Sequence, residues 1–218
     1  MYLSHRETDQ NEFFTHESGP FPPSITDNGK MYFSPSKTDL LKCFELQGKE
    51  IEEPPKHFDC MVLDGAAIVH FLSPSKSDKT FQDYSLKRYI PYLEGLLKYC
   101  DRIDLVFDRY LAKSLKDAVR DKRGSGTRFK VQADGKLPVR WSDFLFVSEN
   151  KKELFHYLAK EIHGHSFKEN KQILVTMDTK VLAVNSPAMP PCSHEEADSR
   201  IFLHVLDALE DEKNCFMI

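Results

Sequence analysis

Phe58–Leu72 reads FDCMVLDGAAIVHFL, and its first half decides the fold. Cys60-Met61-Val62-Leu63 is a short apolar run between Pro54-Pro55 and Asp64-Gly65. A run of that length between turn residues reads as a strand buried on both faces, the kind found in parallel sheets. Asp64 stands at its C-terminal end, the edge at which open α/β sheets bind ligands. Gly65 permits a sharp turn, and Ala66–Leu72 continues as a first helix. Asp64 then has two readings, the cap of that helix or a group placed for chemistry. Other acids along the chain bear on which one holds.

The same order recurs downstream. Thr80–Tyr99 reads as a helix, opened by a capping-box pair, Thr80 with Asp83. Phe81, Tyr84, Ile90, Leu93 and Leu97 form its apolar side, and Pro91 should kink it. Ile103–Phe107 is a second buried strand, and it also ends in an acid, Asp108. Strand, helix, strand predicts a right-handed βαβ unit with a parallel pair. Asp64 and Asp108 would then converge on one sheet edge. Further on, Trp141, Phe144 and Phe146 read as core or helix-packing residues. Asn150 is expected to cap Lys151–Ile162, whose stripe is Leu154, Phe155, Leu158, Ala159 and Ile162. His163-Gly164-His165 reads as a helix C-terminus, since no partner residues stand at zinc spacing. Ile173–Val175 and Val181–Val184 are strand-like, with Asp178 a hairpin residue between them and outside the site.

Bulk properties bound the function. The 218 residues are 40% hydrophobic and 29% charged, with a net charge of −4. Such a chain suits one domain, or one domain plus an extension. A globally basic nucleic-acid binder is excluded, so any basic surface must be local. The five cysteines (Cys43, Cys60, Cys100, Cys192, Cys215) form no CxxC pair, and the polar N-terminus lacks a signal-type apolar core. These features point to a reducing, intracellular setting, nuclear or cytoplasmic rather than secreted. No run approaches the ~18 apolar residues that span a bilayer, so no membrane partner is expected. Cys215-Phe216-Met217-Ile218 has prenylation-box spacing. The segment before it, Leu209–Asn214, is acidic where an anchor wants basic residues, and Phe216-Met217-Ile218 also reads as the start of a strand. Residues 1–55 form a loop-rich extension with one short helix, Thr38–Leu46, and no catalytic constellation. Residues 56–218 form the main domain.

Charge is concentrated in one place. From Arg109 to Lys130 there are eight basic residues against two acids, a local charge of +6. Gly124-Ser125-Gly126 interrupts the run. A solvated helix followed by a loop accounts for it, and so does a contact surface for a phosphate backbone. On the second reading Lys113, Lys116, Arg120, Lys122, Arg123, Arg128 and Lys130 are the nucleic-acid contacts.

The last acidic cluster lies in Pro190–Asp207, PPCSHEEADSRIFLHVLD. Ser193 with Glu196 reads as a capping box that starts a helix. Ile201, Phe202, Val205, Leu206 and Leu209 are expected on its buried side. Acids in a first turn suit the helix dipole. They also bring Glu195, Glu196 and Asp198 toward Asp64 and Asp108. Several carboxylates around one point cannot all ionise without a cation, and an all-oxygen set suits Mg²⁺ or Mn²⁺.

Asp64 after the first strand, Val106-Phe107-Asp108 after the second, and Glu196-Ala197-Asp198 at a helix start after a proline form a pattern. It resembles the PIN-like nucleases, nearest to their flap-endonuclease and 5′-exonuclease branch and to poorly characterised eukaryotic members with the same HEEAD-type helix start. The resemblance covers about Phe58 to Ile218. It implies a three-layer α/β/α sandwich with a mostly parallel central sheet. It also implies a metal-dependent, structure-specific 5′-nuclease acting on DNA or RNA, with Asp64, Asp108, Glu196 and Asp198 as catalytic and metal-binding residues. The basic stretch falls where that branch carries an arch over its substrate.

Two departures qualify the pattern. Residues i and i+2 of a helix lie about 200° apart, so Glu196 and Asp198 share an ion only if Glu196 precedes the regular helix. Glu195, spaced i,i+3 from Asp198, is the substitute metal ligand. The family also continues into a strand ending in an Asp-x-Asp pair, whereas Asn214–Ile218 gives only that strand's beginning. The chain is therefore expected to be C-terminally incomplete, or a PIN-like binding module without catalysis. A haloacid-dehalogenase-type phosphatase ranks lower, because Ala66 stands where it wants a second Asp.

Overall fold

The two apolar runs lie side by side at the centre of one sheet. The computed structural model describes residues 26–27, 30–31, 56–110, 126–210 and 215–217. The chain divides into two units, Met1–Pro54 and Pro55–Ile218. In the first, β1 (Thr26–Asp27) and β2 (Lys30–Met31) pair antiparallel with Asn28-Gly29 between them. The helix expected over Thr38–Leu46 lies outside the described residues.

In the second unit β3 (Phe58–Asp64), β4 (Cys100–Val106), β5 (Gln172–Met177), β6 (Lys180–Val184) and β7 (Cys215–Met217) form one sheet. Its order is β6-β5-β4-β3-β7. β4 and β7 flank β3 in parallel, β5 is parallel to β4, and β6 is antiparallel at the edge. The fold is mixed α/β around an open, mostly parallel sheet. Asp64 pairs in register with Val106, so both strands end on the same edge, as the βαβ reading requires. β6 returns from β5 through Asp178, whose φ of 51° is the left-handed conformation a tight hairpin needs. Cys215 lies in β7, level with Cys60.

Alternation along the strands sends successive residues to opposite faces. Met61, Leu63, Ile103, Leu105, Ile173 and Val175 point to one face and Cys60, Val62 and Val106 to the other. The first face is covered by α1 (Gly65–Phe71), by α2 (Phe81–Tyr84) with its continuation into α3 (Ile90–Leu96), and by α4 (Trp141–Phe146) and α5 (Ser148–Gly164). The second meets α6 (Ala197–Glu210). Among the described residues no helix is long and apolar enough to cross a membrane.

Local side-chain caps start α1 and α2. Thr80 and Asp83 make both halves of a capping box at α2. A π-helical turn, Ser85–Tyr89, joins α2 to α3 just before Pro91, and the Ile90 amide donates to Ser85 O, five residues back. Proline has no amide to give and crowds the preceding turn, and the wider turn stands where that crowding falls. The α5 stripe is buried as predicted.

Three expectations fail. Asn150 does not cap α5, which starts at Ser148. It is buried and ties the 127–129 loop down, accepting from Phe129 N (2.9 Å) and donating to Thr127 O (2.9 Å) and Phe144 O (3.2 Å). Trp141 stacks on buried Phe144, but Phe146 is exposed. On α6 the buried residues are Ala197, Arg200, Ile201, His204 and Ala208, whereas Phe202, Leu206 and Leu209 face outward. The opposing strand presents Arg102 and Asp104 as well as Val106, and the helix meets it with a mixed side, His204 and Asp207 on the charges and Ala197, Ile201 and Ala208 on the apolar patch.

Candidate functional site

The site is built from the exits of β3 and β4. Asp64 does cap α1: its Oδ1 accepts from Ala66 N (2.8 Å) and Ala67 N (3.2 Å). Both bonds use one oxygen, so capping and a second role at Oδ2 are compatible. Gly65 follows because nothing larger fits. A Cβ there would stand 2.4 Å from Phe107 Cε1. Phe107 in turn is stacked on Phe155 and donates its amide to buried Thr176 (2.7 Å). The residues after each strand thus interlock and fix Asp64 relative to Asp108.

Asp108 joins this edge to the acidic cluster. Its Oδ1 accepts from Ala197 N at 2.9 Å, the first amide of α6. Arg109 adds two clamps, its amide to Glu195 O (2.8 Å) and its Nη1 to Ser193 O (2.8 Å). α6 is therefore capped by an acid 89 positions away, and the expected Ser193–Glu196 capping box does not form the start. Glu196 lies outside the helix, and its carbonyl accepts from Arg200 N. This meets the condition under which Glu196 and Asp198 can turn to a common point.

The carboxylates are of the type a hard cation takes, and they come from adjoining segments. They do not form a finished cage: among the described residues no three His, Cys, Asp or Glu side chains stand together closely enough to hold an ion. The fit is one of donor chemistry and backbone placement, and side-chain rotation must complete it. Comparisons of the chain with protein-family models, curated proteins and solved structures returned no match.

Of the expected nucleic-acid contacts, Lys113, Lys116, Arg120, Lys122 and Arg123 lie outside the described residues. Arg128 is held by Asn150 Oδ1 (3.1 Å) and Glu153 Oε1 (2.5 Å). Lys130 is exposed.

Charged residues that the sequence reading passed over lie beneath and beside the edge. Asp104, inside the run read as apolar, is fully buried. It receives Arg102 Nε (2.6 Å) and Nη2 (2.7 Å), and it bonds His204 Nδ1 at 2.7 Å. Arg102 Nη2 also donates to Asp207 (2.6 Å). Burial pulls the Arg102 guanidinium down, but its bonds to Asp104 and Asp207 outweigh that and hold it above its ordinary value. The spacing of Arg102 and Asp104, i and i+2 on a strand, was the available signal for a shared face. Asp178, set aside as a hairpin residue, pairs with His156 at 3.0 Å and lines a small cavity with Asp108. Arg200 lines the same cavity. Burial lowers its pKa, and nearby Cys192 opposes the shift.

Proposed function

We propose that the chain is a metal-dependent nuclease that hydrolyses phosphodiester bonds of DNA or RNA, in the manner of a structure-specific 5′-nuclease, on a PIN-like three-layer α/β/α sandwich. The observation that carries the reading is the 2.9 Å bond between Asp108 and Ala197, which links the sheet-edge acids to the Glu196–Asp198 helix start. Asp64, Asp108, Glu196 and Asp198 would hold Mg²⁺ or Mn²⁺, with Glu195 as the substitute ligand. Such an ion, when bound, supplies hydroxide from water and offsets charge on the scissile phosphate and the leaving oxygen.

The protein's own part is positional. The α1 amides fix Asp64 Oδ1. Arg109 and Asp108 fix the backbone from which Glu195, Glu196 and Asp198 extend. The Arg109–Lys130 stretch would grip the flanking phosphates. Free thiols at Cys60, Cys100 and Cys192 suit a reducing nuclear or cytoplasmic setting.

The test is cleavage of labelled flap, single-stranded DNA and RNA substrates in Mn²⁺, with melting curves as a folding control. Asp64→Asn and Asp108→Asn keep a side-chain carbonyl for the capping bonds, so both variants should fold and lose cleavage. Undiminished cleavage by either variant overturns the reading. A second reading, a PIN-like binding module without catalysis, is favoured by the unfinished ligand cage. It predicts salt-sensitive binding with no turnover, weakened when Lys122 and Arg123 are reversed in charge.

A further inference from the structure

Arg200 is the largest fully buried side chain among the described residues, and it is 1% exposed. Its Nη1 donates to Phe107 O at 3.1 Å. Its Nε and Nη2 are shielded from solvent and, among the described residues, have no hydrogen-bond partner. Buried donors are nearly always paired, and a guanidinium with two idle donors needs an explanation. A folding role would be served by a carboxylate, as Asp104 and Asp207 serve Arg102. Among the described residues no carboxylate is hydrogen-bonded to Arg200, and the nearby Asp108 and Asp178 act on it only through their charge.

Position supplies the explanation. Arg200 stands in the walls of two cavities and is the only described residue common to that pair. The inner one, about 10 Å³, has Asp108, His156 and Asp178 in its wall, room for roughly one water. The outer one, about 420 Å³, lies between the Met189–His194 segment and α6. That is the volume of a small-ligand site. Its apolar wall comes from Met189, Pro190, Pro191, Leu203 and Leu206, and its acidic side from Asp207 and Glu210.

We infer that Arg200 anchors a ligand site in the outer cavity, and that the ligand is a single nucleotide unit whose phosphate takes the idle Nε and Nη2 donors. Nε and one Nη of a guanidinium form the fork that matches two phosphate oxygens. The proline and leucine wall seats the base. Asp207 and Glu210 disfavour a longer polyanion on that side. Both donors are closed from solvent, so binding requires the wall around them to open. The nucleoside half of the assignment rests on the nuclease reading, and the phosphate half on Arg200 alone.

The experiment uses the full chain in metal-free buffer with chelator, and follows melting temperature and calorimetric binding. The probes are inorganic phosphate, adenosine 5′-monophosphate and adenosine. Phosphate should bind, the monophosphate should bind more tightly, and adenosine should bind weakest. Arg200→Met removes two orphaned donors along with the one bond to Phe107 O, so it should melt close to the parent, and it should lose affinity for both anions by on the order of tenfold or more. Arg200→Lys should keep part of the phosphate affinity. No anion binding by the parent, or equal binding by Arg200→Met, overturns the site. A monophosphate no tighter than phosphate overturns the base seat.

Leu203→Trp, which fills the cavity without touching the guanidinium's charge, covers the case in which Arg200→Met does not fold. It should exclude the monophosphate, and unchanged binding counts against the site. Asp64→Asn should bind the monophosphate like the parent. Anion binding without cleavage defeats the nuclease reading alone, and cleavage without anion binding defeats this inference alone.

Discussion

The two faces of the central sheet are built on different principles. The face under α1–α5 is apolar and aromatic, with Phe81, Phe144, Leu154 and Leu158 buried against Leu63, Leu105 and Val175. The face under α6 has a small apolar patch around Cys60, Val62 and Val106. The rest of its burial is polar: Arg102, Asp104 and His204 form one hydrogen-bonded network, and Arg200 lies buried apart from it. Apolar burial is non-directional and tolerates rearrangement. A buried ion network has few satisfactory geometries and penalises every other one. The first face supplies bulk stability, and the second fixes the rotation and height of the helix that carries the acidic cluster.

The largest expected effect breaks the ionic face. Asp104→Ala leaves His204 without its partner and Arg102 with Asp207 alone, and should cost ~3–5 kcal/mol by denaturant titration. Leu105→Ala, on the same strand but the opposite face, should cost a similar ~2–5 kcal/mol through the cavity it leaves. Joint replacement separates the two faces. Arg102→Met with Asp104→Leu should recover most of the lost stability, because the buried charged pair is gone and the Asp207 that remains is partly open to solvent. If that double variant is as unstable as Asp104→Ala, the network is a main source of stability and not chiefly a positioning device.

A smaller effect belongs to the seam between the strand exits. Gly65→Ala pushes a methyl against the Phe107 ring, with the Cβ only 2.4 Å from its edge. A cost of about 1–3 kcal/mol is expected. Because Phe107 precedes Asp108, cleavage should fall further than stability does. A loss of stability with full cleavage would show that the two strand ends are not coupled.

The smallest effect lies on the apolar side. Lys87, followed by the amides of Lys79 and Thr80, holds Asp83 down from its ordinary 3.8 to about 2. A depressed carboxylate contributes above its unfolded value and loses that contribution as pH falls through the folded one. The α2 start should therefore loosen between 3.8 and about 2, seen as faster amide exchange at Gln82 and Asp83. Asp83→Asn should remove that pH dependence. An unchanged profile in the variant would assign the loosening to another group.

Legibility follows the range of the interaction. β3, β4 and β5 were readable because each is a short apolar run with turn residues beside it. The Thr80–Asp83 box and the α5 stripe were readable because their partners are within a turn or two. The start of α6 was misread because its capping group, Asp108, arrives from another part of the chain. Asn150 was misread for the same reason, since its partners are a distant loop and the end of α4. Asp104 was hidden because a charge inside an apolar run looks like an exception until Arg102 and His204 are placed around it. The sheet-edge position of Asp64 and Asp108 was legible, but their degree of convergence depends on rotamers that no local pattern encodes.

The π-helical turn at Ser85–Tyr89 has a consequence for insertions and deletions. An unbroken α-helix advances about 100° per residue. From Phe81, that would carry Ile90, Leu93 and Leu97 to roughly the opposite side of the rod. All of them are nevertheless buried with Phe81 and Tyr84. The turn absorbs one surplus residue and brings the two halves back into phase. Deleting a single residue there would yield a more regular helix with one half facing water, whereas a point substitution in the same turn leaves the phase intact. Regularity of the backbone and fit of the side chains pull in opposite directions at this spot, and the fold keeps the fit.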